Sequence, residues 1–240
     1  MDVDLNKGEY TFDDLNMVIG VLLGENGCPW DKAQTHMSVR ECLMEECYEA
    51  IDAVNQGDKA AMCEEFGDVL MQVVFNAKLA EKAGDFTIDD VVDGVCRKMI
   101  SRHTHIFGGD AKALSPEDAL VTWEKNKKTE KGYASVREML ELVPHTLPAL
   151  IRAQKVQKKA AKTMERDMDG QTVLAEAEDA FLRLKQAVVA GEGDLEEYYG
   201  AFLFKSAQIS RFLKINPEFA LTNAVETYIN KFEHNESANK

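Results

Sequence analysis

The chain has 240 residues, enough for one large domain or two of ordinary size, and its hydrophobic content of 45% can build a packed core. A formal net charge of −14 argues against a protein that holds nucleic acid through its phosphates, because that requires a basic surface. No apolar run approaches the ~20 residues of a membrane span, and the N-terminus is acidic rather than a secretory signal, so we expect a cytoplasmic protein without a membrane partner. The five cysteines form no C-x-x-C pair, and we expect them to be reduced thiols.

The apolar residues of nearly every segment recur with a helical period, and no segment alternates as a strand does. Helix starts are marked by Ser115 and Asn216, each followed by proline, and by Ser135, followed three residues later by Glu138. The pattern predicts an all-α protein with helices over 12–23, 38–56, 58–83, 87–103, 116–131, 135–142, 148–164, 172–190, 194–214 and 217–235.

The chain contains an internal repeat of helix pairs. The segments "MEECYEAIDAV" and "EEFGDVLMQVVFNAKLA" correspond to "AEAEDAFLRLKQAVV" and "EEYYGAFLFKSAQIS" in the second half. Each pair has a short polar turn and leads to a helix that carries a lysine, Lys98 or Lys231. We therefore predict two helical modules, 1–131 and 148–240, with a connecting segment over 132–147.

The two modules differ in their acidic residues. Four acids stand on the helix pair of the first module: Glu46, Glu49, Glu65 and Asp68. An alignment of the repeats by eye places four other residues at these positions of the second module: Ala177, Ala180, Tyr198 and Ala201. The modules are thus expected to share their packing and to differ in their chemistry.

The spacing of the four acids predicts that they converge. At about 100° per residue, the two acids of each helix lie on one edge of an apolar stripe that we expect to face the core. These stripes are Val39, Leu43, Cys47, Ala50 and Val54 on the first helix, and Met62, Phe66, Val69, Leu70 and Val73 on the second. A short turn makes the helices antiparallel, so the carboxylates can meet, and they repel each other unless a cation lies between them. Oxygen ligands suit Mg²⁺ or Mn²⁺.

Two other interpretations of the acids compete with a magnesium site. A single E-x-x-E pair is more often an ordinary solvated helix face, but two such pairs at the same angular offset on neighbouring helices favour a shared ligand. A four-helix di-iron centre uses Glu-x-x-His pairs, and no histidine falls within either acidic motif. We therefore favour the hard divalent cation.

The acids and their flanking segments resemble one known family. "EECYE" (45–49) followed by "EFGD" (65–68) is similar to the E-E-x-x-E and E-x-x-D motifs of the MazG family, the all-α nucleoside triphosphate pyrophosphohydrolases. "NGCPWDKAQTH", "SRHTHIFG", "WEKNK" and "LPALIRAQKVQKKAA" extend the likeness, strongly over 20–165 and weakly over 170–235. The resemblance implies tandem MazG-like helical-bundle modules that hydrolyse nucleoside triphosphates, with Mg²⁺, to a monophosphate and pyrophosphate.

The resemblance also implies roles for individual residues. Glu46, Glu49, Glu65 and Asp68 would be metal ligands, with Glu45 as an outer member that orients a ligand or a water. Lys98, Arg102 and Lys127 would supply cations to the phosphates. Alone, Lys98 and Arg102 would be taken for surface charge, although at i and i+4 they share a helix face.

The expected chemistry needs neutralised phosphate charge and an aligned water. Metal held by the acids can supply both, and Glu45 or Glu46 could accept the proton of the water, a choice that the sequence leaves open. Trp123 could stack on the base, although a tryptophan on an amphipathic helix is more often part of the core.

The sequence thus predicts a Mg²⁺-dependent pyrophosphohydrolase acting through its first module, while the second module stabilises or dimerises the protein. Helix pairs of this size leave an apolar face uncovered, so we expect a homodimer and no nucleic-acid partner. The alternatives are a narrow all-α pyrophosphatase for one nucleotide, such as dUTP or dCTP, and a helical regulator that binds divalent ions without catalysis.

Overall fold

A computed structural model describes residues 7–109, 113, 115–131, 135–164 and 169–238 of the chain. Within these ranges the regular structure is helical. The helices are α1 (Phe12–Leu23), α2 (Pro29–Lys32), α3 (Arg40–Gln56), α4 (Lys59–Ala83), α5 (Ile88–Arg102), α6 (Thr104–Phe107), α7 (Pro116–Lys131), α8 (Val136–Glu141), α9 (Ala149–Met164), α10 (Gly170–Ala190), α11 (Leu195–Phe212) and α12 (Pro217–Ala238).

All ten predicted helices are present, with bounds that differ by at most three residues, so the all-α fold class is confirmed. The predicted caps form as well. Ser115 and Ser135 accept hydrogen bonds from the backbone N–H of Asp118 and Glu138, and Asn216 accepts from Glu218. The sequence missed α2 and α6, because four residues are too few to show a period.

The connection between α3 and α4 fixes their antiparallel arrangement. Gly57 ends α3 with a φ of 70°, a left-handed conformation that favours glycine. Asp58 follows as the N-cap of α4 and accepts hydrogen bonds from the N–H groups of Ala60 and Ala61. With so short a turn the two helices run side by side, and their contact is the most extensive in their half of the chain.

The chain forms two compact units, Met1–Glu130 and Lys131–Lys240. In the first unit α4 is central, because its buried side chains meet α1, the start of α3 and the start of α5 in one apolar cluster. The buried members of that cluster are Ile19, Leu23, Val39, Val74, Phe75, Ala77 and Ile88. In the second unit, α10 and α11 form a hairpin against which α9 packs.

The predicted core stripe of α4 is partly wrong. Phe66 is 51% exposed, Leu70 41% and Val73 38%, whereas Val74 and Phe75 are buried. The helix carries apolar residues on most of its circumference, so its period cannot tell which face meets α1 and which stays open. The stripe of α3 needs the same correction at two positions, since Cys47 and Val54 are exposed while Val39 and Ala50 are buried.

The caps also correct the alignment of the two repeats. Gly57 and Gly191 end the first helix of each pair with φ near 70°, and Asp58 and Asp194 begin the second. Anchored on these caps, the by-eye alignment is displaced by three residues. The positions equivalent to the four acids become Ala180, Arg183, Ala201 and Phe204. Neither alignment gives the second unit a carboxylate at these positions.

None of the described helices is both long and apolar enough to cross a membrane.

Candidate metal centre

The acids of α3 and α4 come together on one face of the hairpin. Glu46 and Glu49 on α3 and Glu65 on α4 each offer a carboxylate oxygen, and these oxygens lie within 4.8 Å of one another. Asp68 stands one turn from Glu65 on the same side of α4, close enough to act electrostatically on both Glu46 and Glu65. Three of the four acids expected to meet, Glu46, Glu49 and Glu65, therefore do so, while metal binding by the four residues stays a prediction.

The electrostatics of the cluster are those of carboxylates without a counter-charge. Burial is the main cause of the raised pKa of Glu46, and the nearby charges of Asp68 and Glu49 raise it further. Burial likewise raises the pKa of Glu65, followed by the charges of Glu49 and Asp68. No lysine or arginine is among the main causes of either shift. An all-oxygen, half-buried donor set of this kind fits a hard divalent cation.

Glu45 lies outside this group. It is exposed on α3, about 100° around the helix from Glu46, so its side chain leaves from a different part of the helix surface. Its predicted outer role stays a prediction, and the structure gives it no contact with the cluster among the described hydrogen bonds.

The predicted phosphate-binding residues lie on α5 and α7. Lys98 is exposed, whereas Arg102, one turn further along α5, is only 7% exposed. The guanidinium of Arg102 lies 5.3 Å from the centre of the Trp123 ring, and the ammonium of Lys127 lies 4.6 Å from it. The i, i+4 pair thus divides into an exposed lysine and an arginine packed against an aromatic ring.

Trp123 is half-buried beside a shallow cavity of about 350 Å³, which is also lined by His103, Pro116, Ala119 and Leu120. Its contacts with Arg102 and Lys127 are cation–π interactions. The side chain therefore packs against two cations, and its stacking on a base stays a prediction. α7 itself is tied to the end of α5 by Asn126, whose side-chain N–H groups donate to the Arg102 carbonyl and to the Thr104 hydroxyl.

One cavity in the described residues lies away from the acids. It measures about 490 Å³ and is lined by Gly20, Leu23, Gly24, Glu25, Lys32, Lys78, Glu81 and Lys82, at the ends of α1 and α4. The acids instead lie on an open surface of the hairpin, beside the exposed Phe66, Leu70 and Val73. Geometry of the donor atoms, rather than cavity size, identifies the candidate site.

Sequence reasoning missed three polar residues around the cluster. Gln72 on α4 is 6% exposed, and its side-chain amide lowers the pKa of Glu46. Asn76, one turn further, accepts a hydrogen bond from His36. The signal was available, because positions 65, 68, 72 and 76 are spaced so that they share one face of α4.

Comparison with known proteins then decides the family. Residues 34–107 match the family described as the MazG nucleotide pyrophosphohydrolase domain. The chain is 38% identical over 222 residues to the nucleoside triphosphate pyrophosphohydrolase/pyrophosphatase MazG of Thermotoga maritima, an alignment that covers 92% of this chain and 84% of that protein. The chain belongs to the MazG family.

Two further relatives align with most of the chain. The nucleoside triphosphate pyrophosphohydrolase of Escherichia coli K12 is 36% identical over 214 residues, 87% of this chain and 80% of that protein. The uncharacterized protein YabN of Bacillus subtilis is 40% identical over 233 residues, 96% of this chain and 47% of that protein. This chain therefore spans about half the length of YabN.

Proposed function

We propose that this MazG-family chain hydrolyses nucleoside triphosphates to nucleoside monophosphates and pyrophosphate, and that the site is the α3–α4 hairpin of its first unit. The observation that carries the proposal is the approach of three carboxylates, from Glu46, Glu49 and Glu65, to within 4.8 Å of one another. The activity named for the Thermotoga and Escherichia relatives agrees with it.

Glu46, Glu49, Glu65 and Asp68 would hold the metal, Mg²⁺ or alternatively Mn²⁺. When bound, such an ion neutralises phosphate oxygens and lowers the pKa of a coordinated water. The residues of the chain position the metal ligands. The antiparallel helices bring the carboxylates of Glu46, Glu49 and Glu65 together, and the buried Gln72 faces that of Glu46.

A carboxylate of the chain must also accept the proton that the attacking water loses. Both Glu45 and Glu46 were candidates from the sequence. Glu46 is favoured because it lies inside the cluster, where burial and the neighbouring acids raise its pKa. Glu45 is exposed and lies outside the cluster, so its proposed role is to orient a ligand or a water.

Cations on α5 and α7 would bind the phosphates that become pyrophosphate. Lys98 is exposed and free to move, so it can reach a ligand at little cost. Arg102 and Lys127 already lie over Trp123, and their part in phosphate binding would require exchange of that contact, as would stacking of Trp123 on the base.

A second copy of the chain is proposed to cover the open face of the hairpin, making a homodimer. Phe66, Leu70 and Val73 form a continuous exposed apolar strip next to the acids, and Met44 and Tyr48 on α3 are 55% and 49% exposed. Exposed apolar side chains of this size favour burial against a partner. Such a partner would also shield the metal site from water.

The direct test of the activity is an assay of products. The purified chain is incubated with the eight common ribo- and deoxyribonucleoside triphosphates, with Mg²⁺ or with EDTA, and pyrophosphate and monophosphate are measured together. Equal amounts of the two products, formed only with Mg²⁺, are expected. Release of inorganic phosphate and diphosphate would contradict the proposal, and Mg²⁺ binding without any turnover would indicate the regulator instead.

A further inference from the structure

The polar face of α4 does not end at the metal ligands. Glu65, Asp68, Gln72 and Asn76 follow one another along it, and Asn76 lies about 12 Å beyond Asp68 at 1.5 Å per residue. The three residues around Asn76 that face the core, Val74, Phe75 and Ala77, are buried and apolar. A half-buried amide beside such a core needs hydrogen-bond partners, and it has two.

The partners of Asn76 determine how its amide is oriented. Its Nδ2 donates to the backbone carbonyl of Gln72 at 2.9 Å, and a carbonyl oxygen can only accept. The amide oxygen therefore faces outward, where it meets the Nδ1 atom of His36 at 2.8 Å. Because this oxygen also can only accept, Nδ1 of His36 must carry the proton.

The tautomer of His36 follows from this contact. In the neutral imidazole with the proton on Nδ1, Nε2 is an acceptor. His36 lies in the segment between α2 and α3 and is exposed, and no hydrogen bond to Nε2 is present among the described residues. The protein thus holds an imidazole in one orientation and leaves its acceptor nitrogen open on this exposed side chain.

The chemistry of an acceptor nitrogen limits what it can bind. Phosphate oxygens at neutral pH are themselves acceptors, so Nε2 does not suit the triphosphate. His36 also contacts Asn76, which lies further along α4 than the acids that would hold the metal. A nucleoside carries the required donors on its sugar hydroxyls and on base amino groups.

We propose that His36 binds the nucleoside part of the substrate, accepting through Nε2 a hydrogen bond from a ribose hydroxyl or a base amino group, and that Asn76 is the residue that positions it. The inference rests on the proposed function, since it takes the nucleotide to be held by its phosphates at the acids. The substrate would then lie along the face of α4 that carries Glu65 and Asn76, with its phosphates and the metal near Glu65 and its nucleoside near Asn76.

Three variants test the role of His36. His36→Ala removes the acceptor, while His36→Gln places an amide oxygen near the position of Nε2. Met37→Ala, at a neighbouring side chain that is 65% exposed, is the matched control. Binding of the non-hydrolysable α,β-methylene ATP with Mg²⁺ is measured by calorimetry, and KM and kcat are measured from pyrophosphate release.

Loss of one hydrogen bond is expected to weaken binding and raise KM about five- to tenfold in His36→Ala, with kcat changed less than twofold. His36→Gln should recover most of the loss, and Met37→Ala should bind as the natural chain does. Asn76→Ala should show a smaller loss than His36→Ala, because the imidazole stays but is no longer oriented.

Nucleotides that lack either the sugar hydroxyl or the base amino group show which of these two donors His36 contacts. If the donor is a sugar hydroxyl, the effect of His36→Ala disappears with 2′-deoxy or 3′-deoxy ATP. If it is a base amino group, the effect disappears with UTP and remains with CTP. Unchanged binding of every nucleotide, or equal weakening of all of them, would overturn the inference. Absence of pyrophosphate release from the natural chain would instead count against the proposed function, and the calorimetric comparison would still decide whether His36 contacts the nucleoside.

Discussion

The buried Gln72 on α4 faces Glu46 on α3, and its side-chain amide lowers the pKa of that carboxyl. The second unit has a related arrangement at Gln208, which stands at the same distance from its helix cap and donates to Glu176 at 3.3 Å. There the cation is part of the protein, since the Lys205 ammonium lies 2.7 Å from Glu176. The first unit brings several acids together with no lysine or arginine among the main causes of their pKa shifts, whereas the second unit pairs Glu176 with Lys205.

Replacing Gln72 by leucine should impair the first unit. The Gln72 amide lowers the pKa of Glu46, so its loss raises that pKa further. We expect pyrophosphate release to fall about tenfold and the acid limb of its pH profile to move to higher pH. Gln208→Leu is the control in the second unit. An unshifted acid limb in Gln72→Leu would show that Glu46 does not need this contact.

The acid cluster should make the metal-free protein less stable as the pH rises. The pKa values of Glu46 and Glu65 are raised in the folded state, so the folded protein binds more protons than the unfolded chain in the range just above their usual values. The free energy of unfolding must then decrease as pH rises through that range. Urea titrations in EDTA at pH 4.5 to 7.5 measure this slope, which should be smaller in Glu65→Gln. Equal slopes would contradict the electrostatic description.

Magnesium should reverse this destabilisation. A ligand present at 100 times its Kd stabilises the folded state by about 2.7 kcal/mol, which corresponds to roughly 5–10 °C in the melting temperature of a unit of this size. Calorimetric scans should show the shift in the transition of the first unit only. Glu65→Gln should not respond to the ion, and a shift of equal size in that variant would place the binding site elsewhere.

The proposed homodimer depends on the apolar strip beside the acids. Leu70→Arg puts a charge into that strip, which a partner cannot cover without burying it. Sedimentation should give the natural chain about twice its 26.8 kDa mass and the variant a mass near 26.8 kDa. Val189→Arg, at a position 80% exposed in the second unit, is the control. A monomeric natural chain would contradict the proposal at once.

The sequence predicted the helices well because their signals are local. Caps such as Ser115 and Asn216, and glycines such as Gly57, act within a few residues of themselves, so spacing alone locates the helix ends. The convergence of Glu46, Glu49 and Glu65 was predictable for a similar reason, since a two-residue turn leaves few ways to place two helices.

The parts that the sequence did not predict depend on contacts between distant residues. Which face of α4 meets α1 could not be read from a helix with apolar residues all around, and so Phe66 and Leu70 were wrongly expected in the core. The burial of Arg102 against Trp123 depends on how α7 returns to α5, 21 residues later in the chain. The contact of His36 with Asn76 likewise joins positions 40 residues apart.

The most direct test of the central claim compares two double variants. Glu65→Gln/Asp68→Asn removes two acids of the first unit, and Glu176→Gln/Lys205→Met removes the internal ion pair of the second. With Mg²⁺ and a nucleoside triphosphate, the first variant should lose at least ~100-fold in pyrophosphate release, because ligand charge and position are both lost. The second should keep its activity within a fewfold. Persistent activity in the first variant, or loss in the second alone, would place the catalytic site in the other unit.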